Sequence, residues 1–143
     1  MNRNEMKIEF GSDPRNESFA RVVVASFMTR TNPTLEEVAD VKTAVSEAVT
    51  NSIIHGYGQK EGTIEIRAYI EERKLYIEIT DYGCGIEDVE KAMEPTFTTG
   101  KDGRSGMGFS FMEAFMDELT VESEPGKGTT VKMAKKIGAG CAV

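Results

Sequence analysis

The 143 residues, 15.7 kDa in all, suffice for one domain over residues 1–143 with a sizeable core and fall short of two independent ones. Hydrophobic residues make up 39% and charged ones 29%, the balance of a folded chain rather than a disordered one. Seventeen Lys and Arg against 24 Asp and Glu leave a net charge of −7, which argues against general attraction to nucleic acid or to an anionic membrane.

Ile8 and Phe10 alternate with polar neighbours and predict a short strand before the Gly11-Ser12-Asp13-Pro14 turn. Asp13 followed by Pro14 reads as an N-cap with a first-turn proline. Residues 14–30 then place Phe19, Val22, Val23, Ser26 and Phe27 at helical spacing, so an amphipathic helix is expected with a broad apolar stripe. That breadth fits a core face alone, or a core face continued into a partner surface.

Thr34-Leu35-Glu36-Glu37 is a capping box, and Leu35, Val38, Val41, Val45, Val49 and Ile53 carry a second helix to about His55. Gly56 and Gly58 end it. Ile64, Ile66, Ala68 and Ile70 alternate, Glu71-Glu72-Arg73 turns the chain, and Leu75, Ile77 and Ile79 alternate again. An antiparallel hairpin with one buried face follows from this. Next come Asp81-Tyr82-Gly83-Cys84-Gly85, a short helical stretch over 87–93, a polar loop over 95–106 and a third helix over 107–116. Strands at Val121 and over 129–135 close the pattern around a turn over 124–128. The fold class expected is an α/β two-layer sandwich of the α+β kind, a mixed, mostly antiparallel sheet with helices on one face.

The longest apolar run is residues 22–25 and the start carries no signal-like stretch, so a cytoplasmic location is expected. Cys84 and Cys141 stand far apart beside a single His, a pattern that supports neither a disulfide framework nor a zinc site.

Chemistry-bearing residues recur in a definite order. Glu47, Asn51 and His55 repeat every four residues and share a face of the second helix. An Asn oxygen suits a hard cation such as Mg²⁺ that bridges substrate phosphates, and a carboxylate one turn earlier can take a proton from a hydroxyl or water. Alone, the pair is also what a solvated helix face offers. Asp81-x-Gly-x-Gly at a strand end offers an acceptor for an exocyclic amine, with glycines that let backbone approach a ligand. The same spacing serves in ordinary turns. Gly103-Arg104-Ser105-Gly106-Met107-Gly108 leads into a helix and supplies amide donors and a cation for anionic oxygens. Gly126-Lys127-Gly128-Thr129 makes a hairpin turn in which Thr129 adds a hydroxyl.

The ordered set resembles the Bergerat, or GHKL, ATP-binding fold of gyrase, heat-shock chaperone and mismatch-repair ATPases, histidine kinases and anti-sigma-factor kinases, over nearly the whole chain. The strings Ser46-Glu47-Ala48-Val49-Thr50-Asn51-Ser52-Ile53-Ile54-His55-Gly56-Tyr57 and Arg104-Ser105-Gly106-Met107-Gly108-Phe109 are similar to those of the anti-sigma F factors of spore-forming bacteria. This resemblance implies that Asn51 ligates Mg²⁺, that Glu47 is the catalytic base and that Asp81 binds the adenine 6-amino group. Gly83 and Gly85 would shape the pocket, and Thr129 would sit beside Asp81 and reach the base through water. Residues 98–108 would be an ATP lid, with Lys101, Arg104, Ser105, Gly106, Met107 and Gly108 near the phosphates. The short lid tip Lys101-Asp102-Gly103 leaves open which cation reaches the γ-phosphate.

A carboxylate at position 47 favours transfer to water or to a hydroxyl over transfer to an imidazole. Combined with the resemblance, it predicts an ATP-dependent protein serine kinase that phosphorylates an anti-anti-sigma factor and, with ATP bound, sequesters sporulation sigma factor F. The resemblance also implies a homodimer, with the first helix and the neighbouring strand as candidate surfaces. Arg21, on the polar side of that helix, reads as a partner contact or as a solvated Arg. Two rivals stand beside this reading, a non-catalytic ATP-gated sigma-binding module and a kinase of the related general-stress anti-sigma type.

Overall fold

The computed structural model describes residues 4–58, 60–89 and 108–138. β1 (Asn4–Gly11) leads into α1 (Asn16–Met28) and a 3₁₀ turn (Thr29–Thr31), and α2 (Leu35–Asn51) continues into a π-helical turn (Ser52–Gly56). β2 (Thr63–Glu71) and β3 (Lys74–Asp81) form a hairpin, followed by α3 (Gly108–Phe115), β4 (Glu118–Glu124) and β5 (Gly128–Lys136). The strand order is β1-β2-β3-β5-β4, and each described pairing is antiparallel.

The core lies between the sheet and the helices. Ile64, Ile66 and Ala68 of β2, Leu75, Ile77 and Ile79 of β3, and Val131 and Met133 of β5 are buried with Val41, Val45 and Val49 of α2 and Met112 of α3. Each Val, Leu, Ile or Met side chain among them contributes about 1.5–3 kcal/mol by leaving water. The opposite sheet face carries Tyr69 stacked on Tyr76 with centroids 4.5 Å apart, and Lys132 paired with Glu122 at 3.2 Å.

Local chemistry explains the boundaries. Thr34 Oγ1 accepts from the Glu37 amide at 3.0 Å while Glu37 accepts from the Thr34 amide at 2.8 Å, so the capping box starts α2 as expected. The Glu37 carboxylate also accepts from the Gly138 amide, tying the chain after β5 to this helix start. In the β2–β3 hairpin, Glu72 and Arg73 both have positive φ, 51° and 66°. That is the turn whose twist matches paired strands.

Two local expectations differ from the fold. α1 starts at Asn16, with no side-chain cap. Asp13 Oδ1 instead accepts from the Arg15 amide at 2.9 Å, and the Arg15 guanidinium holds the Asp13 carboxyl down to about 2. The α1 stripe is also rotated. Ala20, Val24 and Met28 are fully buried, whereas Phe19 is 52% and Val22 57% exposed. The i, i+4, i+8 row that includes the small Ala20 faces the core, and the bulkier flank of the stripe turns outward.

Candidate active site

Alternation along β3 buries Leu75, Ile77 and Ile79, and the next inward position falls on Asp81. The strand therefore drives a carboxylate, 3% exposed, to the end of the apolar layer. There it accepts from the Gly83 amide at 3.0 Å and from the Ser52 hydroxyl and the Thr129 amide. Burial pushes its pKa up from the ordinary 3.8, against the lowering effect of these three donors.

Close backbone approach makes the glycines around it necessary. A Cβ on Gly83 would lie 2.0 Å from the Gly56 carbonyl oxygen, the atom that accepts from the Cys84 amide at 2.8 Å. Gly85, at φ 77°, would meet the Glu124 carbonyl at 2.0 Å. Gly56 itself faces Asp81, and a Cβ there would stand 2.8 Å from Oδ1. Tyr57 braces the same corner, donating to the Thr63 carbonyl at 2.5 Å and accepting from the Tyr82 amide at 2.7 Å.

Above Asp81 opens a cavity of about 300 Å³. Ala48, Asn51, Ser52, His55 and Gly56 form one wall, Gly85 and Ile86 another, and Phe109, Thr129 and Val131 the remainder. Thr129 reaches it because β5 pairs with β3 in the register Asp81↔Thr129. The π-helical turn matters here. Widening the last turn of the helix over Ser52–Gly56 brings Ser52 and Gly56 to the cavity along with Asn51 and His55, and such turns recur at functional sites.

The structure thus gathers Asn51, Asp81, Gly85 and Thr129 around one cavity, with Gly83 packed behind Asp81. Glu47 is set apart. It lines an adjoining groove between α1 and α2 with Arg21, Lys42 and Ser46, one turn from Asn51, so the face expected to carry Glu47, Asn51 and His55 together divides between two depressions. Gly108 opens α3. Lys101, Arg104, Ser105, Gly106 and Met107, the 90–107 part of the lid and short-helix expectations, and Cys141 lie outside the described residues. Cys84 is a free, exposed thiol. Sequence reasoning missed Ser52, Gly56 and Phe109 as cavity residues. Ser52 and Gly56 sit inside the quoted string around Asn51, and a hydroxyl directly after that Asn was the available signal.

Residues 10–135 match the family described as Histidine kinase-like ATPase domain. The Anti-sigma F factor of Thermoanaerobacter sp. (strain X514) is 60% identical over 137 residues, covering 95% of this chain and 96% of the relative. Those of Caldanaerobacter subterraneus subsp. tengcongensis and Clostridium acetobutylicum are 61% and 59% identical, over 94% and 96% of this chain and 95% and 96% of the relatives. The chain belongs to the anti-sigma F factor family. Its fold is also that of a solved structure of the RsbU and RsbW domains of Rv1364c from Mycobacterium tuberculosis, at TM-score 0.68 and 18% identity over 94% of this chain. A blue-light activated histidine kinase of Erythrobacter litoralis aligns at TM-score 0.58 and 21% identity over 78%. The chain spans about a third of each of those two structures, 32% and 34%. The GHKL fold expected from the motifs is therefore the fold of this anti-sigma F factor family member, and its ATPase domain is of the ATP- and ADP-binding, kinase-like type.

Proposed function

We propose that the chain is an ATP-dependent protein serine kinase and anti-sigma factor, which sequesters sporulation sigma factor F when ATP-bound and phosphorylates the anti-anti-sigma factor on serine. The observation that carries the nucleotide part is the buried Asp81 carboxylate at the floor of a 300 Å³ cavity, since an ionised acceptor there suits the 6-amino group of adenine. The family name of the relatives supports the sigma partner.

In this reading Asp81 accepts from adenine N6, Gly83 and Gly85 let the backbone close on the base, and Thr129 adds a contact through water. Lys101, Arg104, Ser105, Gly106, Met107 and Gly108, within the lid over 98–108, meet the phosphates. Asn51 holds Mg²⁺. Among the described residues no group of three or more His, Cys, Asp or Glu that could hold a metal occurs. A lone amide oxygen at the cavity wall fits a Mg²⁺ that keeps its waters and leans on substrate phosphates. When bound, that ion supplies neutralisation of the triphosphate charge. Glu47 lies in its own groove, open to an outside hydroxyl, and takes the proton from the serine Oγ as the γ-phosphoryl group moves to that oxygen and ADP leaves.

The protein works in the cytoplasm of a sporulating cell, as a homodimer, without direct nucleic-acid or membrane contact. Among the described residues no helix is long and apolar enough to cross a membrane. The test is incubation with γ-labelled ATP, Mg²⁺ and the anti-anti-sigma factor. Label on a serine is the expected result, and ATP-dependent sigma binding without label would leave the non-catalytic gated module instead.

A further inference from the structure

The β4 residue Ser123 belongs to none of the motifs above, yet its hydroxyl joins three parts of the site. Ser123 Oγ accepts from the Ile86 amide at 2.8 Å, just beyond the Asp81-x-Gly-x-Gly turn. It donates to the Gly128 carbonyl at 2.9 Å. It also lies 2.7 Å from Thr129 Oγ1, a contact in which either hydroxyl can be the donor.

A serine hydroxyl has one hydrogen and two lone pairs. The three contacts are satisfied together in one way: the hydrogen goes to Gly128, and the lone pairs take the Ile86 amide and the Thr129 hydroxyl. Thr129 must then donate to Ser123, and both of its own lone pairs stay unused by these contacts, on a residue that lines the cavity. We infer that Ser123 fixes the direction of the Thr129 hydroxyl and thereby makes Thr129 an acceptor toward the nucleotide, so that the site selects a 6-aminopurine over a 6-oxopurine with two acceptors rather than one.

The neighbours agree in sign. The Gly83 amide, the Ser52 hydroxyl and the Thr129 amide all spend their hydrogens on Asp81, while the Thr129 hydroxyl spends its hydrogen on Ser123 and the Ser123 hydroxyl spends its own on Gly128. What this corner offers a purine is acceptor capacity. An adenine 6-amino group answers it with two N–H donors, directly or through one water, whereas the oxygen of hypoxanthine sets lone pairs against lone pairs. Sites that demand one sense of hydrogen bond discriminate strongly, because the wrong ligand leaves buried polar groups unpaired. Ser123 is a positioning residue in this scheme, since it acts through Thr129. The inference rests on the adenine seat proposed above.

The experiment measures ATP and ITP dissociation constants for the wild-type protein and for Ser123→Ala, Thr129→Val, the double variant and Asp81→Asn. Without Ser123 the Thr129 hydrogen is free to turn into the cavity. The expected result is a fall of roughly tenfold in the preference for ATP over ITP in Ser123→Ala, a similar fall in Thr129→Val, and no further fall when the two are combined. ATP and ITP weakened by the same factor in Ser123→Ala, or an unchanged preference in both single variants, overturns the inference. Should Ser123→Ala fail to fold, Ser123→Cys fills the space with a weak acceptor, and the same two readings apply to it. Asp81→Asn separates the two levels. If it leaves ATP affinity unchanged, the adenine seat itself is wrong; if it weakens ATP while Ser123→Ala keeps the preference intact, the hydroxyl inference alone fails.

Discussion

The two depressions on either side of Asn51 are built in opposite ways. At the Asp81 end the polar atoms are bound to one another before any ligand arrives: Asp81 by Gly83, Ser52 and Thr129, and Thr129 by Ser123. At the Glu47 end the groove is lined by long charged side chains on two helices, Arg21, Lys42 and Glu47, with Arg21 spanning 3.4 Å to Glu17 one turn away. A rigid, buried set of acceptors recognises a flat base whose shape never changes. Side chains held by surface contacts suit a group that must admit a protein substrate, act on it and let it go. On the proposed function, recognition and chemistry would separate along one helix.

The sharpest way to break that division is Glu47→Ala. Loss of a positioned general base lowers phosphotransfer by about 10²–10⁴-fold, and the ATP dissociation constant should stay close to wild type because Glu47 lines a different depression from Asp81. Label transfer in a single turnover, beside a direct binding titration, checks both. Unchanged transfer removes Glu47 from the chemistry, and a large loss of ATP binding would join the two ends that the geometry separates. Next in size is Asp81→Asn. Replacing an ionised acceptor by an amide weakens ATP by roughly 10–100-fold, measured by calorimetry, while the fold should not suffer, since the variant removes a carboxylate whose ionisation burial disfavours.

The glycine packing sharpens the comparison on the side of stability. In Gly83→Ala the new Cβ falls 2.0 Å from the Gly56 carbonyl, where backbone rather than a flexible side chain must move, and a cost of about 1–3 kcal/mol is expected in chemical denaturation. Gly126→Ala is the control. Its φ is 80°, but nothing lies within 4 Å of the new Cβ, so it reports the left-handed backbone cost alone, about 1–2 kcal/mol. A Gly83→Ala loss no greater than that of Gly126→Ala would mean that the turn after Asp81 is looser than its contacts indicate.

Much of this was legible in the sequence because it rests on periods and on paired residue types. The capping box of α2, the alternation that buries Ile64, Ile66, Ile77 and Ile79, and the order of Asn51, Asp81 and Thr129 are local signals, and the fold keeps each of them. The parts that were not legible depend on distant chain. The rotation of α1 follows from which row of the helix can approach α2 and the sheet, a choice that Phe19 and Val22 do not reveal by spacing. The widened turn over Ser52–Gly56 leaves no mark in a 3.6-residue period. Ser123 matters because β4 lies against β5 in the register Ser123↔Thr129, and one hydroxyl in a strand carries no motif.

The smallest effect is a pH dependence, and its sign sets the two ends apart. Burial raises the Asp81 pKa above 3.8, so the unliganded fold holds that proton more tightly than the unfolded chain does. This group's contribution to stability is then fully present below 3.8 and is lost as pH rises through the raised value. Nucleotide binding runs the other way, because the proposed contact needs an ionised acceptor. ATP affinity should be constant above the raised value and decline by less than tenfold per pH unit below it. Asp81→Asn should abolish that decline and leave a flat, weaker profile. A profile that still falls in Asp81→Asn would move the titrating group away from Asp81, and with it the claim that the base end is the part of the site set in advance.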